Sequence, residues 1–301
     1  MTENVRYDGS LKASVILKDL APFVPALSRF EEPLDLNLVF SGHGKHLDCP
    51  TLQLANHHGL MIAGEAALSN WDAGMDMYIY GKLGNLIMTK EGINVLMTNL
   101  TGKVPPILQR LDYIRFNGEA AGYLHDLTLT GLFYTGAGMV KTDVMMSIDE
   151  QSMSRTYSGS VASADLDLGK LLNQEKKFGK VDFNVELKGF NYKNRYPESY
   201  IKGIISSFEY SQYQYENIML DGVYKDGGFN GRLSMDDANG SVQIDGNFNV
   251  AKTIPDFNLK ASVKNLRPHD LHLSDKYENA SISLGLTADF TGKSIDDMNG
   301  R

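Results

Sequence analysis

The stretch Asn217-Ile218-Met219-Leu220-Asp221-Gly222-Val223-Tyr224-Lys225-Asp226-Gly227-Gly228-Phe229-Asn230-Gly231-Arg232-Leu233-Ser234-Met235-Asp236-Asp237-Ala238-Asn239-Gly240-Ser241-Val242-Gln243-Ile244-Asp245 alternates apolar and polar residues with period two. Ile218 and Leu220, then Phe229, Gly231, Leu233 and Met235, then Val242 and Ile244 fall on one side of the chain. Successive side chains of a strand point to opposite faces, so each run has one greasy face and one face of Asp, Asn, Arg or Ser. The runs end in Lys225-Asp226-Gly227-Gly228 and in Asp236 to Gly240, turn chemistry between antiparallel strands. The pattern continues through Phe257, Leu259, Ala261 and Val263 and through Ile282, Leu284 and Leu286. It predicts a long one-sided sheet whose apolar face needs something to cover it.

Working outward, the same alternation runs through Leu52 and Leu54, through Leu60, Ile62, Gly64, Ala66 and Leu68, and through Met75, Met77 and Ile79. Residues 89–111 break it. Thr89 with Glu91, then Ile93, Leu96, Met97 and Leu100, has helical spacing, and Pro105-Pro106 opens a second short helix through Ile107, Leu108 and Leu111. Weak internal repeats are present. Asp126-Leu127-Thr128-Leu129-Thr130-Gly131 matches Asn217-Ile218-Met219-Leu220-Asp221-Gly222 at an offset of 91 residues. A second unit occurs three times, with a leading Asp19, Asp165 or Asn265 followed after 23, 24 and 27 residues by the closing Gly42, Gly189 or Gly292 of a well-patterned strand. Asp19 and Asp167 are placed to cap a turn or two of helix inside that unit. The spacing is irregular, so no strict solenoid is implied.

The chain has 301 residues, 42% hydrophobic and 22% charged, the balance of a folded protein long enough to bury a sizeable core. A net charge of -8 argues against nucleic acid as a partner, because phosphate neutralisation needs a basic surface. Cys49 is the only cysteine, which excludes an internal disulfide and any multi-cysteine metal site. No signal region or membrane-length apolar run is visible, and the abrupt ends suggest the central piece of a longer protein.

Chemistry-bearing clusters are weak. His43, His46, Cys49, His57 and His58 invite a zinc reading, but they lack a recognised ligand spacing, and in an extended chain His43 and His46 point to opposite faces. Residues 135–142 superficially resemble a phosphate loop, yet no Gly precedes Lys141 and a strand pattern follows, so a hairpin turn is expected. Asp236-Asp237 and Glu31-Glu32 sit in turns, where acidic residues serve the backbone. No serine elbow or Cys/His nucleophile pair exists, so no catalytic residue, cofactor or metal ligand is assigned. The cluster from Phe208 to Tyr215 is expected to pack across strands.

At Tyr215 to Gly231 and at Val242 to Asn249, the chain resembles the AsmA-like superfamily, and within it the TamB-type translocation and assembly module proteins. Val104 to Leu111 and Arg115 to Asp126 also look like the middle of such proteins. The motifs are turn-and-strand patterns, and no functional residue carries over one by one. The resemblance implies a periplasmic β-structure shaped like a taco, with an apolar groove used in phospholipid movement between membranes. It implies an inner-membrane anchor and an outer-membrane β-barrel partner, both through regions outside this chain.

The expectation is therefore an all-β fold, an elongated curved antiparallel sheet (a β-taco or groove) with a few short helices. A first β block over 1–190 carries the helical insertion, and a second covers 191–301, with a break near Pro197. The expected function is a non-enzymatic lipid-conducting module. Leu36, Leu38, Phe183, Val185, Leu220, Leu233, Ile244, Leu259 and Leu284 face the groove and contact phospholipid acyl chains. An alternative is a scaffold offering sheet edges to unfolded outer-membrane strands; a carbohydrate-binding protein or lyase ranks below both. Alternation alone does not separate an open groove from two faces packed in a dry sandwich.

Overall fold

Turn residues set the strand lengths. The computed structural model describes residues 5–21, 28–149, 151–152, 154–191, 198–249, 254–276, 278–291 and 299–300. Residues 22–27, inside the first copy of the repeat, and residues 192–197, at the expected break, lie outside these. The strands are β1 Arg6–Ile16, β2 Pro33–His43, β3 His46–Ala55, β4 Leu60–Ser69, β5 Tyr78–Thr89, β6 Tyr113–Tyr123, β7 Asp126–Thr135, β8 Gly138–Ile148 and β9 Arg155–Asp167. They continue with β10 Phe178–Asn191, β11 Glu198–Tyr210, β12 Tyr213–Lys225, β13 Gly228–Asp237, β14 Gly240–Asn249, β15 Asp256–Leu266, β16 Ile282–Thr291 and β17 Asn299–Gly300. The α-helices are short: α1 Lys90–Thr101, α2 Pro106–Gln109 and α3 Leu168–Leu172. The protein is all-β and antiparallel.

It divides into two units, Met1–Met145 with Leu171–Asn173, and Met146–Lys170 with Gln174–Arg301. In the first, β1 to β7 pair in sequence order, each antiparallel to the next. Residues 136–137 form the expected hairpin turn, held by the Thr135 hydroxyl, which donates to Gly138 O and accepts from the Ala137 N–H. In the second, β9 to β16 pair in order, and β17 meets β16 at two positions.

The helical insertion forms where the spacing predicts it. Thr89 caps α1 by accepting the Gly92 N–H, Gly102 ends it in the left-handed region at φ 78°, and Pro106 opens α2. Ile93 on α1 packs with Leu111 and Ala137 in a dry core, with Met88, Met97, Leu108, Ile114 and Leu171 around it. The repeat of strand, short helical segment and strand is also present. Asp167 accepts the Lys170 N–H and caps α3 as expected. Asp19 does not cap: it lies inside the short 3-10 turn Leu17–Leu20, whose cap position is Ile16.

Candidate functional site: an uncovered apolar face

Strand register brings separated residues into rows. In the second unit one row crosses Val185, Gly203, Leu220, Leu233, Ile244, Ala261 and Leu286. The neighbouring row is Phe183, Ile205, Ile218, Met235, Val242, Val263 and Leu284. On the other side lies Leu187, Ile201, Gly222, Gly231, Gly246, Leu259 and Ala288, then an aromatic row of Tyr224, Phe229, Phe248, Phe257 and Phe290. All seven groove residues named from this unit therefore share one apolar face. In the first unit Leu36 belongs to the row Ala13, Leu36, Leu54, Ile62, Leu86, Phe116 and Phe133. Leu38 belongs to Leu11, Leu38, Leu52, Gly64, Leu83, Gly118 and Gly131, on the same face.

Burial shows what covers these rows. Among the described residues of β10 to β16, only Val181, Tyr215, Gly222 and Gly240 are buried. Among the described residues the apolar rows are partly exposed, each side chain shielded in part by its lateral neighbours. On β16, Leu284 and Leu286 are 41% and 40% exposed. A sandwich core would hold its inward leucines at full burial.

Each unit fills one end of its face. In the first, α1, α2 and the Ile93 core do so. In the second, Val181, Phe208 and Tyr215 form a row, and the Tyr215 hydroxyl donates to the carbonyl of fully buried Leu271 at 2.7 Å. The Phe208 to Tyr215 cluster packs across strands as expected, with the Tyr213 and Tyr215 rings 4.8 Å apart. Burial and the hydrogen bond to Asp237 push the Tyr213 hydroxyl up to about 12. These aromatics are already satisfied by each other.

Close approach explains the glycines. A Cβ at Gly231 would stand 2.3 Å from Asp221 O, and one at Gly222 would stand 2.5 Å from the Phe229 ring, which lies over it. The first unit repeats this device, with the Phe116 ring over the opposed pair Gly118 and Gly131. Aromatic rings shield backbone that the missing side chains leave bare.

The polar face carries a charge ladder that the sequence did not disclose. Glu186, Lys202, Asp221, Arg232, Asp245 and Lys260 stand opposite one another on six successive strands, alternating in sign at every step. Lys202 is 3.7 Å from Asp221, and Arg232 is 3.0 Å from Asp245. Hydrogen bonds from Gln243 and Arg232 hold the Asp245 carboxyl below the usual carboxylate range. Glu65, Lys82 and Glu119 make a shorter ladder in the first unit. Two recesses, of about 490 Å³ and 660 Å³, are lined mainly by polar-face side chains, the first around Lys202, Met219, Asp221 and Arg232 and the second around Lys12, Asp35 and Gln53. In the first, Lys202, Asp221 and Arg232 already have partners along the ladder, so they offer a ligand little free charge.

The histidine geometry differs from expectation. The turn at residues 44–45 folds β3 back on β2, so His43 and His46 are register partners with rings 5.4 Å apart, not opposed. His46 Nε2 lies 2.9 Å from Asp48 Oδ2 and its Nδ1 lies 2.7 Å from Ser69 Oγ. Among the described residues no group of three or more His, Cys, Asp or Glu side chains is arranged to hold a metal ion. None of their helices is long and apolar enough to cross a membrane. No family model, curated protein or solved structure matches the chain.

Proposed function

We propose that the chain is a non-enzymatic lipid-handling module whose apolar sheet faces take phospholipid acyl chains. The observation that carries this is the partly exposed state of rows such as Val185, Leu220, Leu233 and Ile244, none of which is fully buried. An acyl chain laid on such a row gains about 0.8 kcal/mol per buried methylene. Among the described residues the rows repeat across many strands, and the two recesses are lined mainly from the polar face, which suits passage along the apolar face better than capture at one point. The resemblance to AsmA-like and TamB-type proteins supports a periplasmic module of phospholipid movement between membranes, part of a protein anchored in the inner membrane. Photocrosslinkers at Leu220, Leu233 and Ile244 in cells test it. Capture of phospholipid supports the conduit; capture of nothing at all three removes it.

A second reading is a scaffold for outer-membrane β-barrel assembly. It is favoured by β16, which among the described residues pairs on its far side only through Phe290 with Gly300 and Thr291 with Asn299. An open strand edge accepts an added strand. Crosslinkers on the β16 edge that capture unfolded β-barrel precursors, with none on the apolar rows, would put this reading first.

A further inference from the structure

In the first unit, the ends of the strands away from α1 meet in a ridge of turns at residues 44–45, 70–76 and 124–125. The turns hold one another. The Asn70 N–H donates to Lys45 O at 2.9 Å, the Leu124 N–H to Met77 O at 3.1 Å, and the Gly44 N–H to Val5 O at 2.9 Å. Lys45 Nζ lies 2.7 Å from Asp72, and His125 Nδ1 lies 2.9 Å from Met75 O.

Trp71, the only tryptophan of the chain, stands on this ridge and is 42% exposed. Its place is built. Asn70 adopts the left-handed region at φ 56°, and the Ala73 N–H donates to Asn70 O at 2.8 Å, which reverses the chain beneath the indole. The ring packs 6.3 Å from Tyr7, whose hydroxyl donates to His46 O at 2.7 Å. Tyr7 begins the last row of the apolar face: Tyr7, Gly42, Leu47, Leu68, Ile79, Gly122 and Leu127. The indole thus stands at the open end of that face, opposite the end filled by Ile93. On the polar side of the same ridge, Tyr78 and Tyr123 meet edge to face at 5.4 Å, and Tyr123 is 44% exposed.

We propose that this ridge seats in the interface of a zwitterionic phospholipid bilayer, with Trp71 at headgroup depth, so that the apolar face opens directly onto the lipid. This rests on the lipid reading of that face. Trp and Tyr, each an apolar ring with one polar atom, are the residues that a water–lipid boundary favours. The charge of the ridge selects the surface. Arg6 and Lys45 stand against Asp48, Asp72, Asp76 and Asp126, and the chain carries -8 overall, so an anionic bilayer repels it.

A lone indole makes the test direct. The full chain is titrated with phosphatidylcholine vesicles whose acyl chains are brominated at shallow or at deep positions, and Trp71 emission is read. A blue shift with stronger quenching by shallow bromines is expected, weakened when phosphatidylglycerol is added to the vesicles. Trp71→Ala, checked for folding by circular dichroism, should lose vesicle flotation. Unchanged emission with vesicles overturns the proposal, as does quenching only by a monomeric short-chain brominated phosphatidylcholine below its micelle concentration. If that short-chain lipid is retained in native mass spectrometry while vesicles leave Trp71 unaffected, the ridge proposal falls and the conduit stands. If neither lipid form binds, both fall.

Discussion

Leu233 and Leu271 offer the same deletion in the same unit under opposite cover. Leu271 is fully buried beside Tyr215, whereas Leu233 sits on the uncovered face. Leu271→Ala removes the transfer free energy of the lost atoms and leaves a cavity in a dry core, a loss of about 3–5 kcal/mol. Leu233→Ala leaves no sealed cavity, since water reaches the gap; only part of the transfer free energy is lost, about 1–2 kcal/mol. Leu233→Glu should also stay folded, because its carboxylate keeps its water; in a sealed core the same charge would cost several kcal/mol more. Two units make a single unfolding midpoint hard to interpret, so the assay is native-state hydrogen exchange of the β12 to β14 amides. Trp71 fluorescence follows the first unit as an internal control. A Leu233→Ala loss equal to that of Leu271→Ala, together with unfolding by Leu233→Glu, would show a packed layer over the face and refute the open-face account.

Gly231→Val places a side chain 2.3 Å from Asp221 O, so the β12–β13 pair must shift; a loss of about 1–3 kcal/mol in the exchange stability of those strands is expected. Tyr213 has its folded pKa raised to about 12 from 10.0, so its stabilising contribution is complete below pH 10 and is lost as pH rises through 12. Absorbance titration should show a late-ionising group of tyrosines, since Tyr7, Tyr200 and Tyr215 are raised as well, and Tyr213→Phe should remove one ionisation from its high-pH end. The Cys49 thiol is pushed up by burial and then by the Asp48 carboxylate, so it should react with disulfide reagents at pH 8 far more slowly in the native protein than in urea. Arg232→Asp lines up three acids across β12 to β14 and should lower the melting temperature at low salt, with partial recovery at high salt. Adding Asp245→Arg to Arg232→Asp, a swap of the pair, should not restore it, because the new acid would then face Asp221 and the new base would face Lys260; full restoration would mean an isolated pair and no ladder.

Alternation made the strands legible because period two is a property of one strand alone. Thr89, Pro106 and the Gly-rich turns were equally legible, since caps and turns are local chemistry. Register was not. Which residue faces which depends on bulges, and the pairing slips at Val39/Ser41, Cys49/Leu52, Ala63/Gly64 and Leu83/Leu86 in the first unit. Those slips keep Leu36 and Leu38 in row with Leu83 and Phe116, and no pattern within one strand announces them. The His43–His46 contact was misjudged for a related reason: two residues in a straight strand oppose by parity, but a tight turn between them makes them neighbours. Trp71 had a signal, as the lone indole in an Asn-Trp-Asp turn, but its place at the end of an apolar row is set by Tyr7, 64 positions earlier in the chain.

The repeats gain a physical meaning from two further bulges, both in the second unit, where the pairing slips at Val181/Phe183 and at Val263/Leu266. Asp165 and Asn265 both adopt the left-handed region, at φ 58° and 50°, and each donates its N–H to a side chain on the next strand, Asp182 and Ser283. After each bulge a leucine, Leu166 or Leu266, pairs with Val181 or Ile282, and the chain turns out of the sheet. An Asp or Asn at this position tolerates the left-handed backbone, and the following leucine anchors the exit. What recurs is therefore the exit from the strand and not a residue count. The segments between exit and return, α3 in one case and the turn bearing Leu271 in the other, differ in length, and each holds a buried residue, Gly169 in α3 and Leu271 in the turn. Such a device lets strands follow one another around insertions of different length. The irregular spacing of the repeat therefore follows from insertions of unequal length between equivalent strand exits.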